Sequence, residues 1–146
     1  MRIFFTWIVL LVALVWGVKH DWSRPSQFPI SVLPCTDITQ GCGSDFFVAR
    51  FAETPQVMKP LHLNVHLNHP ETIRNVHVDF AMQNMEMGLN RYRLIQSKQL
   101  SDWQAEITLP VCIQGRSDWN MLIEFEADDD VQRFQIPFSA KPSRRN

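Results

Sequence analysis

The sequence predicts an all-β protein: a seven-stranded antiparallel immunoglobulin-like sandwich preceded by one N-terminal transmembrane helix. Three observations predict this fold. After residue 44, short segments alternate apolar and polar residues, and turn-forming residues separate them. Beyond the N-terminal stretch, no segment keeps a period of 3.6 residues. Short strands of this kind form two antiparallel sheets packed around one core.

The predicted strands share one buried and one solvent-facing side. In the segment 61–67, leucine and valine alternate strictly with histidine and asparagine. Pro137 places the last strand at a sheet edge, because proline has no backbone N–H to donate. The seven strands are residues 46–51, 61–67, 76–82, 91–96, 103–109, 121–125 and 134–138.

The N-terminal residues 1–20 contain an uncharged apolar run at 3–18. Its length is close to that of a signal-peptide apolar region and to that of a membrane span. Because Trp16 lies inside the best small-residue cleavage motif, we expect an uncleaved membrane anchor, with a cleaved signal as the alternative. Either outcome exports the remainder. We therefore expect a single-pass protein of the bacterial inner membrane with its C-terminal domain in the periplasm.

Composition divides the rest of the chain into three parts. Residues 21–44 are rich in Pro, Ser, Thr and Gly, which predicts an extended tether carrying a cysteine pair. Residues 45–139 form the predicted sandwich, and residues 140–146 a disordered basic tail. The formal net charge of −1 offers no basic face for phosphates, which argues against a nucleic-acid partner.

The chain has three cysteines, and an exported protein is expected to oxidise a close pair. Cys35 and Cys42 are separated by six residues, so we expect a disulfide between them. Cys112 then remains as a buried thiol or a ligand. The alternative joins Cys112 to Cys35 or Cys42, which would link the tether across the sandwich.

The third predicted strand runs into a turn that carries Met85 and Met87. Turn positions favour Gly, Asn, Asp and Ser, so two apolar thioethers there need a cover or a ligand. In one interpretation they fold back as a lid on the core, because methionine fills irregular gaps. In the other they form a soft sulfur site, because thioethers and thiolates select Cu(I).

Strand parity indicates which loops meet. If successive strands alternate in direction, the loop after Met82 and the loop after Leu109 lie at the same end of the sandwich, and the tether arrives at the opposite end. The second loop carries Cys112. Met85, Met87 and Cys112 would then converge on one Cu(I) ion, with Met82 as a further contributor from the core side.

No catalytic set is evident, so we expect that the protein is not an enzyme. Ser101 and Ser117 lack a convincing base, and no glycine-rich phosphate loop is present. His62 and His66 share one face of a strand, but four residues along a strand separate them by about 13 Å. They are too far apart to chelate one ion, and we expect both to be exposed.

The strand that ends in a Met-x-x-Met-x-Met-Gly turn, from Met82 to Gly88, carries a resemblance. Together with the leading apolar span and a later strand pair that begins at Trp103 and includes Trp119, it resembles the YtkA-like or FixH-like membrane-anchored β-sandwich proteins of the bacterial envelope. The resemblance covers roughly residues 45–139. It implies a periplasmic domain with a methionine-bearing loop, copper handling and a role in haem-copper oxidase assembly. This chain departs from the group in its three cysteines and in lacking a histidine beside the methionines.

The leading functional hypothesis is a membrane-anchored periplasmic domain that binds or passes Cu(I) in respiratory oxidase assembly. Its partners would be the inner membrane and an envelope or respiratory assembly protein. The alternative is a metal-free envelope interaction or assembly module. Its contact patch would be a rim formed by Met85, Met87 and Trp119, with Arg116 as a further partner contact.

Overall fold

The computed structural model describes residues 29–83, 85, 88, 90–111, 117–128 and 130–142. Within these ranges the chain forms ten strands and one 3₁₀ turn, Pro70–Thr72, and no α-helix. The strands are Ile30–Val32 (β1), Cys42–Gly43 (β2), Phe47–Phe51 (β3), Pro60–Leu67 (β4), Ile73–Met82 (β5), Arg91–Arg93 (β6), Ile95–Gln96 (β7), Asp102–Thr108 (β8), Asp118–Ala127 (β9) and Val131–Ser139 (β10).

The strands form two five-stranded sheets that enclose one core. The first sheet has the order β1-β10-β9-β5-β6, and the second has the order β2-β3-β4-β8-β7. All pairs are antiparallel except β1 with β10, which is parallel. The all-β sandwich is therefore confirmed. The prediction of seven strands in a wholly antiparallel arrangement is wrong.

The additional strands have two origins. β1 and β2 lie within the range predicted to be a tether, and each is too short to show an alternating pattern. The predicted strand 91–96 divides at Leu94, which is only 1% exposed, so that β6 joins one sheet and β7 the other. Backbone pairing to β10 and β3, which sequence patterning does not reveal, is what orders β1 and β2.

The core is built by the alternation that the sequence shows. In β4 every second residue is buried, and in β9 the inward residues from Trp119 to Phe125 are fully buried. Aromatic rings join the two sheets: Phe47 and Phe125 have ring centroids 4.8 Å apart, and Phe51 and Phe138 5.5 Å apart. Ring pairs at these separations contribute beyond their buried area.

Both termini extend past the described residues. Among the residues that the structure describes, no helix is long and apolar enough to cross a membrane, and the anchor predicted at 1–20 lies outside them. The predicted tail begins as ordered chain. Lys141 N–H donates to the Pro55 carbonyl at 2.8 Å, and its own carbonyl accepts from Val57 N–H at 3.1 Å.

Candidate functional site at the loop end of the sandwich

The methionine turn begins beside the point where the cysteine-bearing loop ends. Gln83 N–H donates to the Asp118 carbonyl at 3.3 Å, so the loop after β5 and the end of the loop 110–117 are neighbours. The two loops therefore lie at the same end of the sandwich, as expected, although the strand count was wrong. The convergence of Met85, Met87 and Cys112 stays a prediction. At Leu94 the chain passes from one sheet to the other without reversing its direction. The extra strand therefore does not change the end of the sandwich at which each later loop lies. We call this part of the molecule the loop end.

The methionines at the loop end differ in burial. Met82 is 2% exposed and belongs to the core, so its thioether faces other apolar side chains rather than a site. Met85 is partly buried and packs against the same core, and its N–H donates to the Met82 carbonyl at 3.3 Å. This arrangement fits the interpretation of Met85 as a lid. Met87 lies outside the described residues.

The cysteine pairing favoured by the sequence is confirmed. Cys35 and Cys42 form a disulfide with their Cα atoms 5.4 Å apart. Cys112 and Arg116 lie outside the described residues. Because the chain has only three cysteines, this disulfide leaves Cys112 with no cysteine partner within the chain.

The disulfide loop lies at the loop end, whereas the sequence predicted the tether at the opposite end. β2 runs antiparallel to β3 and returns the preceding residues to the end where β3 finishes. There, Phe51 N–H donates to the Ile38 carbonyl at 3.3 Å. A cleft of about 360 Å³ separates this loop from the start of the methionine turn. Its walls include Cys35, Asp37, Thr54, Gln83, Asp118 and Ser139.

Trp119 is not a surface residue, and its prediction as a partner contact is wrong. Its side chain is 0% exposed, and its indole Nε1 has no hydrogen-bond partner among the described residues. β9 begins at Asp118, so the strand has already started at Trp119 and its alternation turns the ring inward. Sequence patterning placed the strand start at 121 and so left this ring in a loop.

Met58 is a loop-end methionine that sequence reasoning missed. It is 59% exposed and has φ of 62°, and no other non-glycine residue that the structure describes has positive φ. Its N–H donates to the Leu109 carbonyl at 2.8 Å, which places it beside the loop that leads to Cys112. Left-handed backbone favours Gly, Asn or Asp, so an exposed methionine in that conformation needs another reason. The sequence signal was a methionine in a loop bounded by Pro55 and Pro60.

The outer face of the first sheet carries a network of charges away from the loop end. Glu124 is 6% exposed and accepts hydrogen bonds from Arg91 and Arg133, each at 2.6 Å. Burial alone would raise the pKa of Glu124, but the two guanidinium groups outweigh it and hold the pKa below its usual value. Burial raises the pKa of Asp79, although Arg91 also bonds to it at 2.9 Å.

One group in this network has the composition of a metal centre. Ligand atoms of His77, Glu124 and Glu126 lie within 4.8 Å of one another. Both oxygens of Glu124 already accept arginine hydrogen bonds, and Glu126 accepts one from Asn75 at 3.0 Å. A cation there would displace these donors and face the charge of Arg91. The oxygen and nitrogen ligands of this group also do not suit Cu(I). We therefore interpret the group as part of the hydrogen-bond network that links the strands of this sheet.

The exposed histidines of β4 are each oriented by a carboxylate. Nδ1 of His62 lies 2.6 Å from Glu53, and Nδ1 of His66 lies 2.6 Å from Asp102. Both histidine side chains are more than half exposed, as the sequence predicted. The hydrogen bond that the His62 imidazole makes to the Glu53 carboxylate raises the pKa of His62 above its usual value. These are surface pairs, and they do not form a site with the loop end.

Comparison with known proteins does not assign the chain to a family. No protein-family model matches it, and no curated protein matches it. The resemblance to YtkA-like or FixH-like proteins therefore stays a prediction.

Proposed function

We propose that this protein is a non-enzymatic, membrane-anchored periplasmic domain that binds Cu(I) at the loop end. Met85, Met87 and Cys112 supply the sulfur ligands; Met82, which lies in the core, does not. The hydrogen bond from Gln83 to Asp118 carries the proposal, because it joins the loops on which these residues lie.

The available sulfur chemistry supports Cu(I) over other common metals. Thioethers and thiolates are soft ligands, whereas Mg²⁺ and Ca²⁺ prefer oxygen. The disulfide removes Cys35 and Cys42 from the set of thiolates, which leaves Cys112 as the one cysteine able to supply a thiolate. Met58 adds an exposed thioether at the same end and is a further candidate ligand.

The disulfide also supports export. Structural disulfides persist in oxidising compartments such as the bacterial periplasm and are rare in the cytosol. The Cys35–Cys42 bond therefore fits the anchor and periplasmic domain expected from the apolar N-terminal run. We infer that the domain faces the periplasm, where it delivers Cu(I) to a partner in respiratory oxidase assembly.

The strand order supports an immunoglobulin-like topology. One sheet contains the order β3-β4-β8-β7, and the other contains β10-β9-β5-β6. These orders correspond to the ABED sheet and to the GFC sheet with one added strand.

The test is Cu(I) binding by the full chain in detergent, kept anaerobic with ascorbate and measured by competition with a chromogenic chelator. The variant Met85→Leu with Met87→Leu should lose binding, and Met121→Leu, which changes a fully buried methionine, should retain it. Without metal, each Met→Leu substitution should cost less than about 1.5 kcal/mol of stability, because Leu and Met are similar in volume.

Thermal unfolding of the wild type decides the proposal. A ligand that binds only the folded state raises the melting temperature by mass action. We expect Cu(I) to raise the melting temperature of the wild type and of Met121→Leu, but not that of the double variant. The metal hypothesis is rejected if the wild type shows no copper-dependent rise.

The second candidate is a metal-free interaction module, and a specific observation favours it. Met85 packs against the core, while Met58 and Val111 expose 59% and 57% of their surface at the loop end. Flexible apolar side chains of this kind adapt to partner surfaces. In this case, Met58→Lys with Val111→Lys should release the assembly partner, and Ile95→Lys, which changes another exposed apolar residue, should not.

A further inference from the structure

The two outer faces of the sandwich differ in how their polar side chains are paired. On the first sheet, Glu124 is bonded to two arginines. On the second sheet, Arg50, Asn64 and Gln104 lie directly opposite one another on β3, β4 and β8. Within the part of the chain that the structure describes, none of these three side chains makes a hydrogen bond or an ion pair. The second face therefore carries a row of polar groups that the protein itself does not use.

The row lines a concave surface, which we call the trough. Its volume is about 460 Å³, within the range of small-molecule sites. His66 and Asp102 flank the row on the same face, with Nδ1 of His66 bonded to Asp102 at 2.6 Å. That bond orients the imidazole and leaves Nε2 available to a ligand.

The functional groups differ along the row. A guanidinium stands at one end, and two carboxamides follow at the spacing of neighbouring strands, about 4.8 Å. The guanidinium offers five N–H donors in a planar fork, and each carboxamide offers two donors and one acceptor. A planar carboxylate matches the fork with two parallel hydrogen bonds. An amide group matches the carboxamides, because it also carries both a donor and an acceptor.

Neighbouring charges select among anions. Asp102 and Glu106 lie on the same face of β8 as Gln104, two residues before it and two residues after it. Their carboxylates oppose any additional negative charge in the trough. A singly charged carboxylate is therefore favoured over a phosphate, which carries more charge at neutral pH.

We propose that the trough binds a small ligand in which a carboxylate lies about 5 Å from an amide. The carboxylate pairs with Arg50, and the amide pairs with Asn64 and Gln104. This site lies on a sheet face rather than at the loop end, so the inference is independent of copper binding.

The probe is N-acetyl-β-alanine, which has one carboxylate and one amide at this separation. It is titrated into the full chain in detergent and followed by NMR of the side-chain N–H groups of Arg50, Asn64 and Gln104. We expect saturable shifts of all three. Arg50→Met should weaken binding at least tenfold. Arg74→Met is the matched control, because Arg74 lies on the other sheet and is bonded to Asp128 at 2.8 Å. The Arg74→Met variant should bind the probe with the affinity of the wild type.

Three further ligands and one further variant complete the test. The methyl ester of the probe, which lacks the negative charge, should bind at least tenfold more weakly, and inorganic phosphate should bind more weakly than the probe. Gln104→Met, a second exposed substitution, should weaken the probe but not propionate, which has no amide. The proposal is overturned by unsaturable shifts, by equal affinity of Arg50→Met and wild type, or by tighter binding of phosphate.

Discussion

Arg91 donates a hydrogen bond to Glu124 at 2.6 Å, although the two residues lie on strands with β5 between them. Arg133, on β10, donates to the second oxygen of the same carboxylate at 2.6 Å. One nearly buried carboxylate thus connects β6, β9 and β10. A charge buried in this way stabilises the fold only while its partners are present.

Glu124→Gln should destabilise the protein at neutral pH. The substitution removes the charge that pairs with two guanidinium groups, and we expect a loss of ~2–4 kcal/mol, because breaking a buried ion pair is costly while both arginines here keep some solvent contact. Denaturant unfolding at pH 7 measures this loss. Glu106→Gln, which changes an exposed residue of β8, is the control and should change stability little.

The same carboxylate predicts acid sensitivity. Because the folded-state pKa of Glu124 is lowered, its contribution is present above the unfolded pKa of about 4.3 and is lost as pH falls through the folded-state pKa. As pH falls below about 5, the stability of Glu124→Gln should therefore decrease less than that of the wild type. Asp79 acts in the opposite direction, because burial raises its pKa and the folded state therefore gains stability from this group as pH falls. Asp79→Asn removes that gain, so its stability should fall more steeply with acid than that of the wild type. Equal pH profiles for all three proteins would contradict this account.

His62 should titrate above the usual histidine value of about 6.5, because Glu53 stabilises its protonated form. NMR of the imidazole over pH 5 to 9 measures the midpoint, and Glu53→Gln should lower it. By linkage, this pair contributes stability below the unfolded pKa and loses that contribution as pH rises through the folded-state pKa. An unchanged midpoint in Glu53→Gln would show that the hydrogen bond has no effect in solution.

Removing the disulfide should destabilise the sandwich. Cys35→Ser with Cys42→Ser frees a loop closed over a sequence separation of seven, and chain-entropy arguments give a loss of ~2.5 kcal/mol for such a loop. Thermal unfolding with and without reductant measures it. Reductant should lower the melting temperature of the wild type and leave that of the double variant unchanged. A wild-type melting temperature that reductant leaves unchanged would show that the Cys35–Cys42 bond does not stabilise the fold.

Met58→Gly should separate stability from binding. Glycine adopts positive φ without steric cost, so the substitution removes ~1–2 kcal/mol of backbone strain. This gain equals or exceeds the free-energy cost of the backbone entropy that glycine loses on folding. We expect unchanged or higher stability together with weaker Cu(I) binding, because the thioether is lost. Met58→Ala removes the thioether but keeps the strained backbone, so it should weaken binding without a gain in stability. If both variants bind Cu(I) like the wild type, Met58 is not a ligand.

Local patterning predicted the features that depend on neighbouring residues in the chain. The alternation in β4 and β8 decides which side chains face the core, because a strand turns successive residues to opposite faces. The pairing of Cys35 with Cys42 follows from their short separation. That the loops after Met82 and Leu109 lie at the same end of the sandwich follows from counting reversals of direction, which the division at Leu94 did not change.

Tertiary structure decided the features that depend on distant partners. β1 forms only because β10 offers it an edge, and β2 forms only because β3 does, so the disulfide loop reaches the loop end through a pairing that its own residues do not encode. Trp119 is buried because β9 begins earlier than its alternating pattern reveals. The sequence by itself determined where the long alternating strands form and which of their side chains face the core. The burial of strand ends and the pairing of Arg91 with Glu124 required the packed sheets, because those contacts join residues far apart in the chain.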